Sequence, residues 1–233
     1  MGGVVLDLVQ AFAYIRRDRH CLKKMGEIAL LVVLCFMPVI GLIPLCALLG
    51  YLAEIIHNVS NDYPRPLPEW DHVGEDVGKG VHVLLALVVY HVPLIVVAAF
   101  LYSFRSSIGV SVFGGITYVG IVSALLPLLF IYLLFAWTLF TIGFIRYADS
   151  WDSSEFYRLG MILSTMQSNA ALTLQWLVRA LAASIALALL LPVILLGAVL
   201  FVPVYGYLAG AYGRRLRAVR MSHRHLPIEP RFF

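Results

Sequence analysis

Between Ile28 and Ala53 the chain carries no Asp, Glu, Lys or Arg, and comparable uncharged stretches follow at Val81–Tyr102, Thr117–Ile145 and, with Arg179 just before it, Ala180–Tyr212. An apolar run of roughly 18 residues or more without charge is what a helix needs to cross the hydrocarbon of a bilayer. Charged residues make up 13% of the 233 positions, against about 25% in a soluble domain, so the chain lacks the polar surface to coat a water-soluble fold. The reading is an all-α integral membrane protein, a single transmembrane domain over residues 1–233.

The net charge of +4 is gathered in the first 24 residues and the last 20, flanking apolar segments rather than covering a face. That pattern sets membrane orientation and favours anionic lipid headgroups; without a basic folded module, nucleic acid is not an expected partner. Residues 4–20 place Val5, Leu8, Val9, Phe12 and Ile15 at helical spacing, which predicts an amphipathic helix lying in the membrane interface. Its apolar-then-basic order is the reverse of a signal peptide, so none is expected. Cys21, Cys35 and Cys46 have no metal-type spacing and read as packing residues.

Pro38, Gly41 and Pro44 interrupt the first apolar region, and Pro192, Gly197 and Pro203 interrupt the last. Proline and glycine occur within membrane helices, so local sequence leaves one span or a hairpin open. Charge decides between them. If both regions are hairpins, the N-terminal arginines, the 59–80 loop, Arg146, Arg158 and the arginines after Gly213 share one side, and only Arg105 lies elsewhere. The positive-inside rule therefore predicts about six helices, with both termini on the cytoplasmic side of the membrane.

The expected organisation is an interfacial helix (4–20), hairpin 1 (22–58), a cytoplasmic loop (59–80), span C (81–104) and span D (117–146). A second interfacial helix (153–168), hairpin 2 (172–213) and a basic cytoplasmic tail (214–233) follow. An internal repeat supports the hairpins: residues 38–53 read PVIGLIPLCALLGYLA and residues 192–209 read PVILLGAVLFVPVYGYLA. Lys24 precedes Pro38 by 14 residues and Arg179 precedes Pro192 by 13, which makes Arg179 an entry-side cation able to snorkel to the interface. About 13 helical residues rise only ~20 Å against roughly 30 Å of hydrocarbon, so the first arm of each hairpin either crosses with help from flanking residues or enters and returns.

Residues 50–80, GYLAEIIHNVSNDYPRPLPEWDHVGEDVGKG, join a glycine-tyrosine-leucine helix end to an LPEWD core and an acidic, glycine-containing entry into the next span. Together with FIRYADSWDSSEFYRLGMILSTMQSN and the basic tail, this resembles an uncharacterised prokaryotic membrane family named domain of unknown function 4013, from about Phe12 to Arg217. The resemblance implies a multi-span membrane protein with no assigned activity and no catalytic residues to carry over. The Pro64-Arg65-Pro66 insertion before the core departs from the family pattern.

Residues 61–80 read as a membrane-surface lid. Pro64, Pro66 and Pro68 hold the chain extended, Trp70 suits the headgroup level, and Asp71 caps a short helix carrying Glu75 and Asp76 in its early turns. The rival reading is a cation site from Asp62, Glu69, Asp71 and Asp76 with His72. It lacks calcium-loop spacing, and His57, His72 and His82 are not spaced for zinc, so neither metal nor cofactor is expected. Glu54 and His57 share a helix face, and with Glu69, Trp70, Asp71, Arg146 and Arg179 they are the candidate partner or headgroup contacts. His91 is the titratable group near the middle of span C, expected to be neutral and bonded to a neighbouring helix; haem ligation would need a second histidine at that depth.

The sequence shows no phosphate-binding glycine loop, GxSxG elbow or HExxH pair, and paired carboxylates at one membrane depth are not expected from it, so no catalytic residues are assigned and a non-enzymatic role is expected. The leading expectation is an accessory or scaffold subunit of a membrane complex, contacting lipids and a protein partner. The alternative is a transporter or channel for a lipid or small solute, suggested by the repeated broken hairpins. A membrane-embedded lipid enzyme is a third class, requiring the 61–80 carboxylates to face a lipid cleft.

Overall fold

A computed structural model describes residues 2–63, 67–108, 112–189 and 196–224, with side chains described over 9–63, 67–107, 113–189 and 196–221. Among these residues the chain forms eight α-helices and one 3-10 turn, with no strand. The helices are α1 (Gly2–Arg16), α2 (Cys21–Leu34), α3 (Leu42–Ser60), α4 (Val73–Ile108), α5 (Val112–Ser150), α6 (Leu159–Ser168), α7 (Ala170–Ala188) and α8 (Leu196–Arg224); the 3-10 turn is Ser153–Phe156. Five of them, α3, α4, α5, α7 and α8, are long and apolar enough to cross a membrane. The 14-residue α2 is not, and at about 21 Å it is shorter than a bilayer core.

Several elements differ from their expected bounds. The acidic stretch after LPEWD is no separate short helix: it forms the first turns of α4, which begins at Val73 rather than at 81. With no proline or strong turn signal between Gly74 and Val81, the helix runs on without a break. Span D likewise begins earlier, at Val112, and the second interfacial segment divides into the 3-10 turn and α6. The first amphipathic helix stops at Arg16, and a turn over Arg17–Asp18 leads into α2.

The core forms where small residues let backbones meet. Gly50 of α3 lies on Asp76 of α4, and Gly80 of α4 lies on Cys46 of α3. A methyl group at Gly50 would stand 1.9 Å from the Asp76 carbonyl oxygen, and one at Gly80 would stand 1.7 Å from that of Cys46. Spacing of four on both helices sets small positions on one face of each, the arrangement that lets membrane helices approach closely. On the other side of α3, Gly206 and Gly210 of α8 pack on Ile55 and Val59. These registers make α4 antiparallel and α8 parallel to α3.

They also set depth. With Cys46 level with Gly80, the start of α3 at Leu42 is level with about Leu84, and α4 continues roughly 24 residues, about 36 Å, beyond it. The turn joining α2 to α3 thus lies part-way along α4. That turn is tight: Val39 has φ 65°, a left-handed conformation costly for a β-branched residue, and Gly41 packs against the carbonyls of Cys35 and Met37. In the second hairpin α8 starts ten residues before Gly206, at about the depth of Leu42. Its turn, with Pro192, lies outside the described residues.

Beyond the two hairpins α4 and α5 continue together. Only 17% of the most apolar stretch of α4 and 6% of that of α5 is buried, against 61% in α3 and 67% in α8. Helices apolar on every face and uncovered by protein are built to face lipid or other membrane helices. At their far end Arg105 lies 5.9 Å over the Tyr118 ring.

Candidate functional site

The described lysines and the described arginines other than Arg105 gather toward the opposite, polar end of the bundle, where the 67–72 segment, the end of α3, the start of α4 and the end of α5 converge. Leu67, Pro68 and Trp70 of the LPEW run are seated against α2 and α3, and Glu69 is exposed. Leu67 is buried, and its carbonyl accepts a 2.7 Å bond from Lys24 Nζ. The Tyr51 hydroxyl donates to the Pro68 carbonyl at 3.3 Å, and the Tyr51 ring stacks on Trp70 at 4.1 Å between centroids and 3° between planes. This stack is the ring contact that seats Trp70 against α3.

Lys24 also pairs with Asp18 at 2.8 Å, with both side chains 7% exposed. Burial works against the Asp18 carboxylate, but hydrogen bonds from Lys24 and the His20 N–H, with the Lys24 charge, hold it below the usual carboxylate range. A buried pair of this kind is worth little against an apolar replacement of both partners, yet losing one partner strands the other's charge. The clasp therefore ties loop, α2 and the α1–α2 turn into one unit.

Next to the clasp, the Gly50 crossing brings the Asp76 carboxyl between α3 and α4. Asp76 is 1% exposed, and its Oδ1 has no hydrogen-bond partner among the described residues. Glu54, one turn along α3 from Gly50, lies beside it and pairs with Lys79 at 2.5 Å. Lys79 Nζ stands 4.7 Å over the Trp151 ring, and the Tyr147 hydroxyl donates to the Lys79 carbonyl at 3.0 Å. Trp151 reaches this position because α5 ends there: its φ of 57° and a 2.7 Å bond from its N–H to the Tyr147 carbonyl close the last turn.

His57 does not pair with Glu54. Its Nδ1 donates to the Ala148 carbonyl at 2.7 Å, and its ring lies 5.4 Å from Trp151 and 5.8 Å from Tyr63. A carbonyl only accepts, so Nδ1 carries the proton in this arrangement. α3 ends in a Schellman turn, with Asp62 left-handed at φ 56° and the Tyr63 N–H on the Asn58 carbonyl at 3.0 Å. Arg217 of α8 locks that end: it donates to Asn61 Oδ1 at 2.6 Å, to the Ser60 carbonyl at 3.4 Å and to Asp149 Oδ2 of α5 at 3.2 Å. Arg214 pairs with Asp62. Arg146 pairs at 2.5 Å with the buried Glu155, which also takes Arg158.

The expected site residues thus divide. Glu54 and His57 lie in the polar layer with separate partners, and Trp70 lies on Tyr51. Glu69 and Asp71 are exposed. Arg146 is engaged by Glu155, and Arg179 is half-buried in a small cleft beside Trp176 and Arg215. His91 bonds the Leu87 carbonyl of its own helix at 2.7 Å, not a neighbouring helix; at the same level Tyr132 reaches across from α5 to the Tyr90 carbonyl. The proposed cation ligands are not brought together: Asp62 is at the α8 side and Asp76 at the α3–α4 crossing, and no group of three or more ligating side chains occurs among the described residues. Asp18, Lys24 and Lys79 were not among the expected site residues. The signal for Asp76 and Lys79 lies in the spacing of Cys46 and Gly50 against Asp76 and Gly80, which predicts a crossing and hence what stands beside it.

Fold and site define an all-helical protein of the membrane type, with a structured polar end on an apolar helix pair. The family model described as "Protein of unknown function (DUF4013)" matches residues 33–202, well over half of the chain, and the chain belongs to that family. No curated protein and no solved structure matches it.

Proposed function

We propose that the chain is an accessory or scaffold subunit of a cytoplasmic-membrane complex, without catalytic activity of its own. In this reading α4 and α5 cross the bilayer, and from Lys79 to Arg105 α4 supplies roughly 26 residues, about 39 Å, for a core of about 30 Å. The two hairpins dip part-way in from the side that carries the basic residues, which is the cytoplasmic side. The observation that carries the reading is the bare surface of the most apolar stretches of α4 and α5: the chain itself buries 17% and 6% of them, so lipid tails and partner helices supply their contacts. The clasped polar end is the ordered platform above them.

Mild-detergent extraction from native membranes tests this. A complex larger than the chain's own 25.9 kDa, with a stoichiometric second protein, is the expected result. A lone monomer with only lipid bound contradicts it. The transporter reading has one observation in its favour, the Glu54–Asp76–Lys79 group placed where the apolar run of α4 begins. Solute flux in vesicles that Glu54→Gln abolishes would select it.

A further inference from the structure

Three groups at the α3–α4 crossing do not balance: two carboxyls, Glu54 and Asp76, stand against one ammonium, Lys79. Lys79 pairs with Glu54, which is a quarter exposed, while Asp76 is almost wholly enclosed and one of its oxygens has no partner among the described residues. A buried carboxylate with an unpaired oxygen is among the costliest arrangements a protein can hold; a neutral carboxyl with the same geometry costs far less. Two adjacent carboxyls with one counter-charge resolve the imbalance by keeping a single proton between them.

We propose that Glu54 and Asp76 form a proton-binding site, in which Asp76 holds the proton and Glu54 pairs with Lys79. The enclosed position favours the neutral form on Asp76, and the exposed side of Glu54 is the route by which the proton exchanges with water at the polar end. The charged groups that act on Asp76 are Glu54 from α3 and Lys79 and Glu75 from α4; His57, one turn further along α3, is turned to the Ala148 carbonyl of α5. From α5 the Tyr147 hydroxyl approaches on the Lys79 carbonyl. Release of the proton leaves two negative charges against Lys79, which then moves from its place over Trp151 to lie between them. Because Gly50 and Gly80 hold the helices at backbone contact, the added charge is not relieved by spreading the helices locally. It is felt by Lys79, Trp151 and the end of α5. The site stands apart from the scaffold reading and is compatible with its failure.

Infrared spectroscopy of the full chain in lipid nanodiscs, across a pH series with isotope exchange, tests it. The expected result is a protonated-carboxyl band at pH 7 that Asp76→Asn removes while helical content and melting stay unchanged. Glu54→Gln removes the neighbouring negative charge and lowers the midpoint of that band's loss by about one pH unit or more; Lys79→Met raises it by a similar amount. Tryptophan fluorescence shows a step at the same midpoint in the wild type that is missing in Asp76→Asn. The proposal is overturned if no such band exists at pH 7, if it survives Asp76→Asn, or if Glu54→Gln and Lys79→Met leave its midpoint in place.

Discussion

The two copies of the repeat use the same four residues, Gly-Tyr-Leu-Ala, on helices that lie side by side, yet each copy binds different material. Gly50 meets backbone, the Asp76 carbonyl of α4, whereas Gly206 meets a side chain, Ile55 of α3. Tyr51 is fully buried, stacked on Trp70 and bonded to Pro68, so the first copy holds the loop that follows it. Tyr207 is half-buried, lies 5.0 Å from Tyr14 and donates to Gln10 at 3.4 Å, so the second copy holds α1. In both, glycine brings a helix close and tyrosine is the post on which a polar-side segment docks. The first copy is locked and the second is looser.

Removing the loop's anchor is the strongest way to break the first copy. Lys24→Met strands the buried Asp18 carboxylate and frees the Leu67 carbonyl, and a loss of about 3–5 kcal/mol is expected in detergent melting experiments. Proteolytic cleavage within 61–72 should rise with it, whereas the α1–α8 contact of the second copy stays protected. The glycines sharpen the contrast. Gly50→Ala forces apart two backbones and should cost about 3 kcal/mol, while Gly206→Ala displaces a methyl of Ile55 and should cost about 1 kcal/mol. Equal losses in the two variants would show that the copies are alike and the distinction is wrong.

Acid separates them next. Asp18 is held below the ordinary aspartate value of about 3.9, so its contribution is complete above that value and is lost as pH falls through its lower folded value. Trp70 emission should therefore report loosening of the first copy only at the acid end of the range, below about pH 4. The hydroxyls give the smallest effect: Tyr51→Phe should cost about 1 kcal/mol and Tyr207→Phe under about 0.5 kcal/mol, measured side by side.

Much of this was legible in the sequence. The uncharged runs predict the helices long and apolar enough to cross a membrane, because that signal is local and strong; the second PVI lies outside the described residues. Where the first hairpin's turn lies along α4 was not legible, since it depends on the register of Cys46 on Gly80, which no local pattern carries. The site was half legible. Glu54 and Trp70 stood out as polar or amphipathic groups next to a span, but their partners Lys79 and Tyr51 come from other elements, and no spacing along one helix predicts such pairings. Asp71 reads as a helix cap from its residue type, but α4 starts two residues later and the first turn closes on the His72 carbonyl instead.

Two helices that cross and two hairpins that do not are the centre of the proposed arrangement. Spin labels placed singly on a cysteine-free chain in lipid bilayers, at Phe36 in the first hairpin's turn and at Tyr102 near the far end of α4, measure this directly. Both residues are exposed on the protein surface, so the labels report the surrounding medium. The predicted result is a Phe36 label that collides with oxygen in the hydrocarbon and is sheltered from water-soluble relaxant on either side, with the Tyr102 label at the interface opposite the basic residues. A Phe36 label reached by water-soluble relaxant at the same interface as Tyr102 would contradict it.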